Sequence, residues 1–292
     1  MQKVKLNKKF VTANKKRNIS QNNFGKFIRL LLNIILAIIV LFPLIYALGM
    51  SLKPSSEIYS QSPSIFTSNP TIQNYLDVFE IAPIGLYILN SFLVSTVIMV
   101  SQIGTAIIAA FAFHFLKFKF KAILFAIIMS TMMIPGEATI ISNFLMVSGW
   151  GLTNTYIGLV LPYLTTAMGI FLFRQAFQSF PMEIYESANI DGCSDLKFIL
   201  KILIPISRPV IGALSVASFL GAWNMYMWPL LITGSDEYRT VQIGISMLNS
   251  ADSQSMVLMI AGVVICMIPS LVIFFFARKN MIRGLTTGAV KG

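Results

Sequence analysis

Charge is scarce in this chain. Only 11% of its 292 residues are Asp, Glu, Lys or Arg, and 56% are hydrophobic. A soluble globular chain carries roughly 25% charged residues, so water is not the solvent for most of this surface. Acidic residues are the scarcest, 11 against 22 basic ones, and there is one histidine, His114. With no paired acids, Ser/His arrangement or ligand cluster, an embedded enzyme has nothing to work with. The two cysteines, Cys193 and Cys266, lie far apart, one in a charged loop and one in an apolar run. That excludes a disulfide framework and a metal site. The phosphate-cradling pattern Gly-x-x-x-x-Gly-Lys-Ser/Thr is also missing, so no ATP site of that kind is present. The formal charge of +11 would suit nucleic acid, but its placement argues for membrane orientation.

What the chain has is long apolar runs. A hydrocarbon core of ~30 Å needs ~20 apolar residues as helix. Six spans follow, at about 29–49, 88–113, 122–146, 156–179, 209–233 and 256–277. The run 138–173 is divided by Ser148, Gly149, Gly151, Thr153, Asn154 and Thr155; its first part joins 122–136 across Glu137. Backbone amides in lipid have no water to bond, so runs of this kind are helices rather than alternating barrel strands. The expected fold is all-α and polytopic.

Lys and Arg sort onto one side of these spans. Twenty of the 22 lie in the N-terminal tail, the loop holding Lys117, Lys119 and Lys121, the loop from Arg174 to Arg208, and the C-terminal tail. Lys53 and Arg239 lie on the other side. The rich side is the cytoplasm, which places both termini there in a multi-pass protein of the cell membrane. The first run, with Ala47-Leu48-Gly49 at its end, also resembles a signal peptide. At 19 residues, 30–48 exceeds the ~7–15 of such an apolar region, which favours a retained anchor.

Three regions follow: a basic cytoplasmic tail at 1–28, a six-span domain at 29–277 with a polar loop at 180–208, and a cytoplasmic tail at 278–292. The first, rich in Lys and Asn, reads as disordered by composition. It reads as a topology signal, with attraction to anionic membrane lipids as its other reading. The external loop of about 50–87, with Pro54, Pro63, Pro70 and Pro83, is expected to pack over the outer helix ends.

The segment from Pro181 to Ser194 reads as a short helix with legible ends. Pro181 suits a first helical turn, and Glu183 suits the positive end of the helix dipole. Gly192 can adopt the left-handed conformation that stops a helix, and Ser194 can cap a second helix running to Pro205. Such a hairpin is either a solvated connector or a docking element. Ser187 and Ala188 are small enough for close approach, and Glu186 and Asp191 carry charge for orientation.

Glu186-Ser187-Ala188-Asn189-Ile190-Asp191-Gly192 resembles the EAA signature of binding-protein-dependent ABC permeases, with Ser187 standing where the family has Ala. Ile134-Pro135-Gly136-Glu137, Gly151 to Tyr156, Phe171 to Gln175, Pro205 to Pro209, Trp223 to Pro229 and Gly284 to Gly292 resemble the carbohydrate-uptake branch in the same order. Asn74-Tyr75 and Asn90-Ser91 fit too, so the likeness covers nearly everything beyond the basic tail. It implies a six-helix permease of MetI-like architecture, serving as half the path for a sugar or oligosaccharide. It implies a homologous second permease, an ATP-binding subunit dimer and an extracellular solute-binding protein as partners. ATP would then be bound by those subunits and no cofactor by this chain, with no role for nucleic acid. Glu186, Ser187, Ala188, Asp191, Gly192 and Pro205 would couple to the ATPase, and Gly288, Lys291 and Gly292 would reach toward it.

Three more residues bear on the solute path. Glu137 is the one carboxylate inside an expected span, where an ionised group costs ~2.5–3.5 kcal/mol on insertion scales. It should face other helices or a water-filled cavity, as a gate residue or as a structural hydrogen-bond hub. Asn224 and Tyr226, beside Trp223 and Trp228, could meet a sugar ring, or the aromatics could be ordinary interfacial anchors. A glycerol-3-phosphate-type permease shares the Trp223–Pro229 likeness, but the span interiors hold no basic residue for a phosphate. An ion-coupled transporter would need more intramembrane acids and two matched halves of broken helices.

Overall fold

The computed structural model describes residues 2–58, 67, 69–248 and 255–286, with side chains described in 25–57, 67, 69–248 and 256–275. Among these residues every regular element is helical. The chain divides into two compact units, Met1–Thr71 and Ile72–Gly292.

The first unit is dominated by one helix, α1 (Gln2–Ser51). Its apolar stretch Gly25–Ser51 is long enough to cross a membrane, two residues beyond the expected span at the far end. Leu30, Ile38, Ile39 and Val40 are all more than half exposed, as lipid-facing side chains are. Pro43 lies inside the helix, a position that neighbouring groups in a membrane make tolerable. The tail expected to be disordered is helical in its backbone from Gln2 onward. Extending an existing helix avoids the unfavourable nucleation step, and no Gly or Pro interrupts the tail before Gly25.

The second unit starts with α2 (Gln73–Ile81), whose Asn74 and Val78 are buried. Helix α3 (Ile84–Phe115) follows and is the central post. Three bent pairs come next: α4 (Lys121–Thr131) with α5 (Gly136–Gly149) at 97°, α6 (Tyr156–Tyr163) with α7 (Ala167–Gln178) at 48°, and, beyond a short helix described below, α9 (Asp195–Ile206) with α10 (Arg208–Trp223) at 83°. A short α11 (Met227–Ile232) and α12 (Val241–Met247) lead to α13 (Ser255–Thr286). Helices α7 and α10 both pack on α3, and α13 packs on α10.

Three helices are therefore long and apolar enough to span alone, and six spans result when each bent pair counts as one. Three expected spans are corrected in detail, the fourth because 156–179 is not one helix but bends by 48° between Tyr163 and Ala167. The third is not continuous over 122–146; it turns sharply where Pro135, in extended conformation at ψ 134°, caps α5. Proline removes one N–H and pushes its predecessor out of the helical region. The fifth is not continuous over 209–233 either, because α10 stops at Trp223 and the chain leaves the helix before α11.

Side chains sort into three buried clusters. One, with Phe111, Phe113, Phe115, Phe173, Phe177, Tyr185, Phe198 and Leu203, joins α3 and α7 to the polar loop. A second gathers Val78, Tyr87, Trp223, Val241 and Ala261. The third gathers Val94, Ile98, Leu159, Trp228 and Ile232.

Candidate functional site: a docking hairpin and the path above it

The polar loop folds as the sequence implies. Pro181 is the N-cap of α8 (Met182–Ile190), and Glu183 lies in its first turn. The helix ends where Gly192 takes φ +71°, with its N–H donated to Asn189 O at 3.0 Å and the Cys193 N–H to Ala188 O at 2.9 Å. Both bonds satisfy carbonyls that a helix end leaves open. A Cβ on Gly192 would meet nothing within 4 Å. The requirement for glycine is thus conformational rather than a matter of space. Ser194 occupies the N-cap of the next helix, but its side chain makes no capping bond. Its carbonyl accepts the Phe198 N–H at 2.9 Å, the first bond of that helix.

One residue that sequence reasoning passed over holds this hairpin in place. Tyr185 is buried, and its ring packs against Phe111, Phe115 and Phe198 at 5.8, 4.9 and 5.0 Å between centroids. Its hydroxyl donates to Asp195 Oδ1 at 2.9 Å. Burial pushes the Tyr185 phenol above its ordinary value of 10.0, with Asn189 opposing it and the Asp195 carboxylate adding to it. Met182 and Ala188, three residues to either side, join the same cluster. This three-residue spacing is the inward stripe of a helix, and it was the available signal.

The outward face is correspondingly free. Glu183, Glu186, Ser187, Asn189, Asp191 and Gly192 are exposed, and Ala188 is half-buried. Two isoleucines share this face: Ile184 is 44% exposed and Ile190 86%. An apolar tip ringed by acids and small residues suits contact with another protein. Pro205 is exposed at the end of α9, beyond a widened turn of π-helix at Ile199–Leu203. Gly288, Lys291 and Gly292 lie outside the described residues.

The candidate path residues are less gathered. Glu137 is exposed in the first turn of α5, next to the free N–H groups and partial positive charge of a helix start. It is not held inside a continuous helix. Asn224 caps α10, donating its Nδ2 to Leu220 O at 2.8 Å and accepting from Gln242 Nε2 at 3.4 Å. Asn224 and Tyr226 are exposed. Trp223 and Trp228, by contrast, are 1% and 2% exposed, and Trp228 donates to Leu159 O at 3.1 Å. The tryptophans are core residues, and of the four only Asn224 and Tyr226 can meet a solute.

At the end of the bundle away from the hairpin, a second network fixes the loop between α11 and α12. Asn154, itself at φ 57°, accepts the N–H groups of Gly234 and Ser235, both at 3.0 Å, on Oδ1. Tyr156 donates to Asn90 Oδ1 at 2.7 Å, and Asn90 Nδ2 donates to Glu237 O and Arg239 O at 2.8 and 2.9 Å. Asp236 accepts from both Tyr87 and Arg239.

Comparison with known proteins agrees with this architecture. Residues 102–286 match the family described as binding-protein-dependent transport system inner membrane component. The arabinooligosaccharides transport system permease protein AraQ of Bacillus subtilis (strain 168) is 31% identical over 260 residues, which cover 88% of this chain and 92% of that one. The sn-glycerol-3-phosphate transport system permease protein UgpE of Brucella suis biovar 1 (strain 1330) is 32% identical over 276 residues, 91% of this chain and 98% of the relative. A chain from the crystal structure of a bacterial ABC transporter involved in the import of the acidic polysaccharide alginate superposes with a TM-score of 0.77. It shares 21% identity and is matched over 98% of its length by 90% of this chain. The chain belongs to the binding-protein-dependent transport system inner membrane component family. It is a multi-pass membrane transport component with the fold of an ABC permease.

Proposed function

We propose that this permease forms half of the membrane path of an ABC importer for a sugar or oligosaccharide, moved by ATP hydrolysis on partner subunits. The observation that carries the reading is the docking hairpin. A short helix is anchored inward through Tyr185 and presents Glu186, Ser187, Ile190 and Asp191 outward. Gly192 sets its end at a positive φ. A connector needs no such anchoring.

In this reading α8 seats on one subunit of a cytoplasmic ATP-binding pair, and Gly288, Lys291 and Gly292 extend toward that pair. Both termini are cytoplasmic, since the basic residues cluster on the side of the hairpin. A homologous permease supplies the other half of the path, and an extracellular solute-binding protein delivers the solute over the loop held by Asn90 and Asn154. Glu137, Asn224 and Tyr226 are the residues of this chain assigned to the path. ATP is bound by partners, and the chain itself needs no cofactor.

A saccharide fits better than a phosphate ester. Among the described residues the basic side chain nearest the exposed Asn224 and Tyr226 in sequence is Arg239, and it is already paired with Asp236. Relatives named for sn-glycerol-3-phosphate keep that solute as the second reading. The test is deletion of this chain followed by uptake of radiolabelled arabinotriose, maltotriose and sn-glycerol-3-phosphate. Loss of a saccharide alone is expected. Loss confined to sn-glycerol-3-phosphate would overturn the sugar assignment.

A further inference from the structure

Gln102 lies midway along α3, with the hydroxyl-bearing Ser101 and Thr105 as its nearest polar neighbours in sequence. It bonds in two directions. Its Nε2 donates to Tyr163 O at 2.9 Å, and its Oε1 accepts from the Ser218 hydroxyl at 2.7 Å. Tyr163 ends α6 at the 48° break that precedes α7, and Ser218 lies within α10. Thus one amide joins the chain entering the docking hairpin to the chain leaving it.

The surroundings show a built junction. The break frees two carbonyls. The second, Leu164 O, accepts from Ser101 Oγ at 2.7 Å and from Thr105 Oγ1 at 3.3 Å. In hydrocarbon such carbonyls have no water to turn to, so neighbouring side chains must satisfy them. One helical turn from Gln102 and Ser218 lie Ala106 and Leu214. A Cβ on Gly169 of α7 would come within 3.0 Å of both. Helix α7 therefore comes backbone-close to α3 at Ala106, and the end of the Leu214 side chain of α10 packs on the same glycine beside the polar clasp.

We propose that Gln102 is a positioning residue that makes α7 and α10 move as one body when the hairpin between them is displaced. This rests on the docking reading of that hairpin. Force applied at α8 reaches the membrane through the two chain segments flanking it. If they could slide independently, hairpin motion would be absorbed locally. The clasp makes that sliding break two hydrogen bonds, Gln102–Tyr163 and Gln102–Ser218, at a place with no water to replace them. Closure on the ATPase side is thereby delivered to the path as a rigid displacement.

The test uses the complete importer in proteoliposomes, with ATP hydrolysis and arabinotriose uptake measured together. Gln102→Met keeps the length and removes both bonds. Gln102→Glu, neutral in an apolar setting, keeps one donor and one acceptor. Ser218→Ala removes one bond with little change of volume. Uptake per ATP hydrolysed should fall roughly three- to fifteenfold for Gln102→Met, the range that interhelical hydrogen bonds in membranes span. It should fall less for Ser218→Ala and recover for Gln102→Glu, with the ATPase co-purifying throughout. Equal ratios in the Met and Glu variants would reduce Gln102 to packing, and an unchanged ratio in Gln102→Met and Ser218→Ala would overturn the proposal. Failure of the ATPase to co-purify with the unmodified chain would instead remove the docking reading.

Discussion

The Tyr185 hydroxyl donates to Oδ1 of Asp195 across the Gly192 turn, at 2.9 Å. The two helices of the hairpin are thereby closed on each other while the tyrosine ring is sunk among Phe111, Phe115 and Phe198. Ring and hydroxyl separate by substitution. Tyr185→Phe loses one hydrogen bond to an exposed carboxylate, a change of about 0.5–1.5 kcal/mol. Tyr185→Ala empties a packed aromatic site, which costs about 3–5 kcal/mol. ATPase co-purification should survive the first and be lost in the second, while the second still inserts in the membrane. Equal retention in both would show that the hairpin does not depend on its anchor.

Gly192 offers a cleaner separation of conformation from contact. Its φ of +71° lies in a region costly for side chains, and no atom waits within 4 Å of a Cβ. A β-branched residue there costs roughly 1–3 kcal/mol, and the strain is relieved by opening the turn. Gly192→Val should reduce ATPase co-purification severalfold with insertion unaltered, and Gly192→Asn, which tolerates this conformation, should retain most of it. Normal recovery of the ATPase with Gly192→Val would remove the docking assignment.

The Tyr185 phenol also sets a pH limit. Its value is raised above 10.0, first by burial, so folding favours the protonated form. That contribution is whole below the ordinary tyrosine value of about 10 and is lost as pH climbs through the raised value. Protease resistance of the 181–206 segment should not respond to this phenol between pH 7 and 9, a window set by that ~10 reference. It should decline above it, less steeply in Tyr185→Phe, and equal alkaline decline in both proteins would exclude the phenol as the cause.

Gly158 is a different kind of glycine. A Cβ there would lie 2.1 Å from the Leu152 carbonyl oxygen, a backbone atom held by the Thr155 hydroxyl at 2.8 Å. Neither can yield without opening the turn that presents Asn154 and Tyr156. Gly158→Ala should lower thermal stability in detergent by about 1–3 kcal/mol or more. Gly221→Ala, in a helix with open space around it, should gain about 0.5–1 kcal/mol. Matching melting temperatures for the two variants would contradict the predicted clash.

Some of this was legible in the sequence and some was not, for physical reasons. The hairpin was legible because Pro181 and Gly192 act on their own backbone, whatever surrounds them. Tyr185 was harder to see, as one aromatic among polar neighbours declares no direction until the core it enters exists. Hydropathy marked the apolar runs but averages over a window. It cannot see that 131–136 turns by 97°, although Pro135 and Gly136 stand in plain view. The break at Asn224 has the same character: Trp223 and Trp228 on either side of it lie in the core, which the sequence pattern, offering a sugar contact or an interfacial anchor for these aromatics, does not show. Gln102 and Ser218 carry no charge and vanish into their runs, and their pairing is a tertiary event.

Glu137 gives the last prediction because its surroundings separate stability from transport. The carboxylate is exposed at the start of α5, so the local benefit of its charge is that of an acid at a helix N-terminus, about 0.3–1 kcal/mol. Glu137→Gln keeps the size and the hydrogen-bonding reach and gives up only that charge. Insertion, assembly with partners and thermal stability should therefore change little. If the carboxylate meets the solute or the opposing permease within the path, the loss is larger. A hydrogen bond to a charged group contributes about 1.5–3 kcal/mol, which corresponds to roughly a tenfold or greater fall in uptake at unchanged complex abundance. Glu137→Ala should match Glu137→Gln in uptake if charge is what matters, and fall further if the amide still serves. Uptake at the unmodified level in both variants would assign Glu137 to scaffolding and leave Asn224 and Tyr226 as the only residues of this chain offered to the solute.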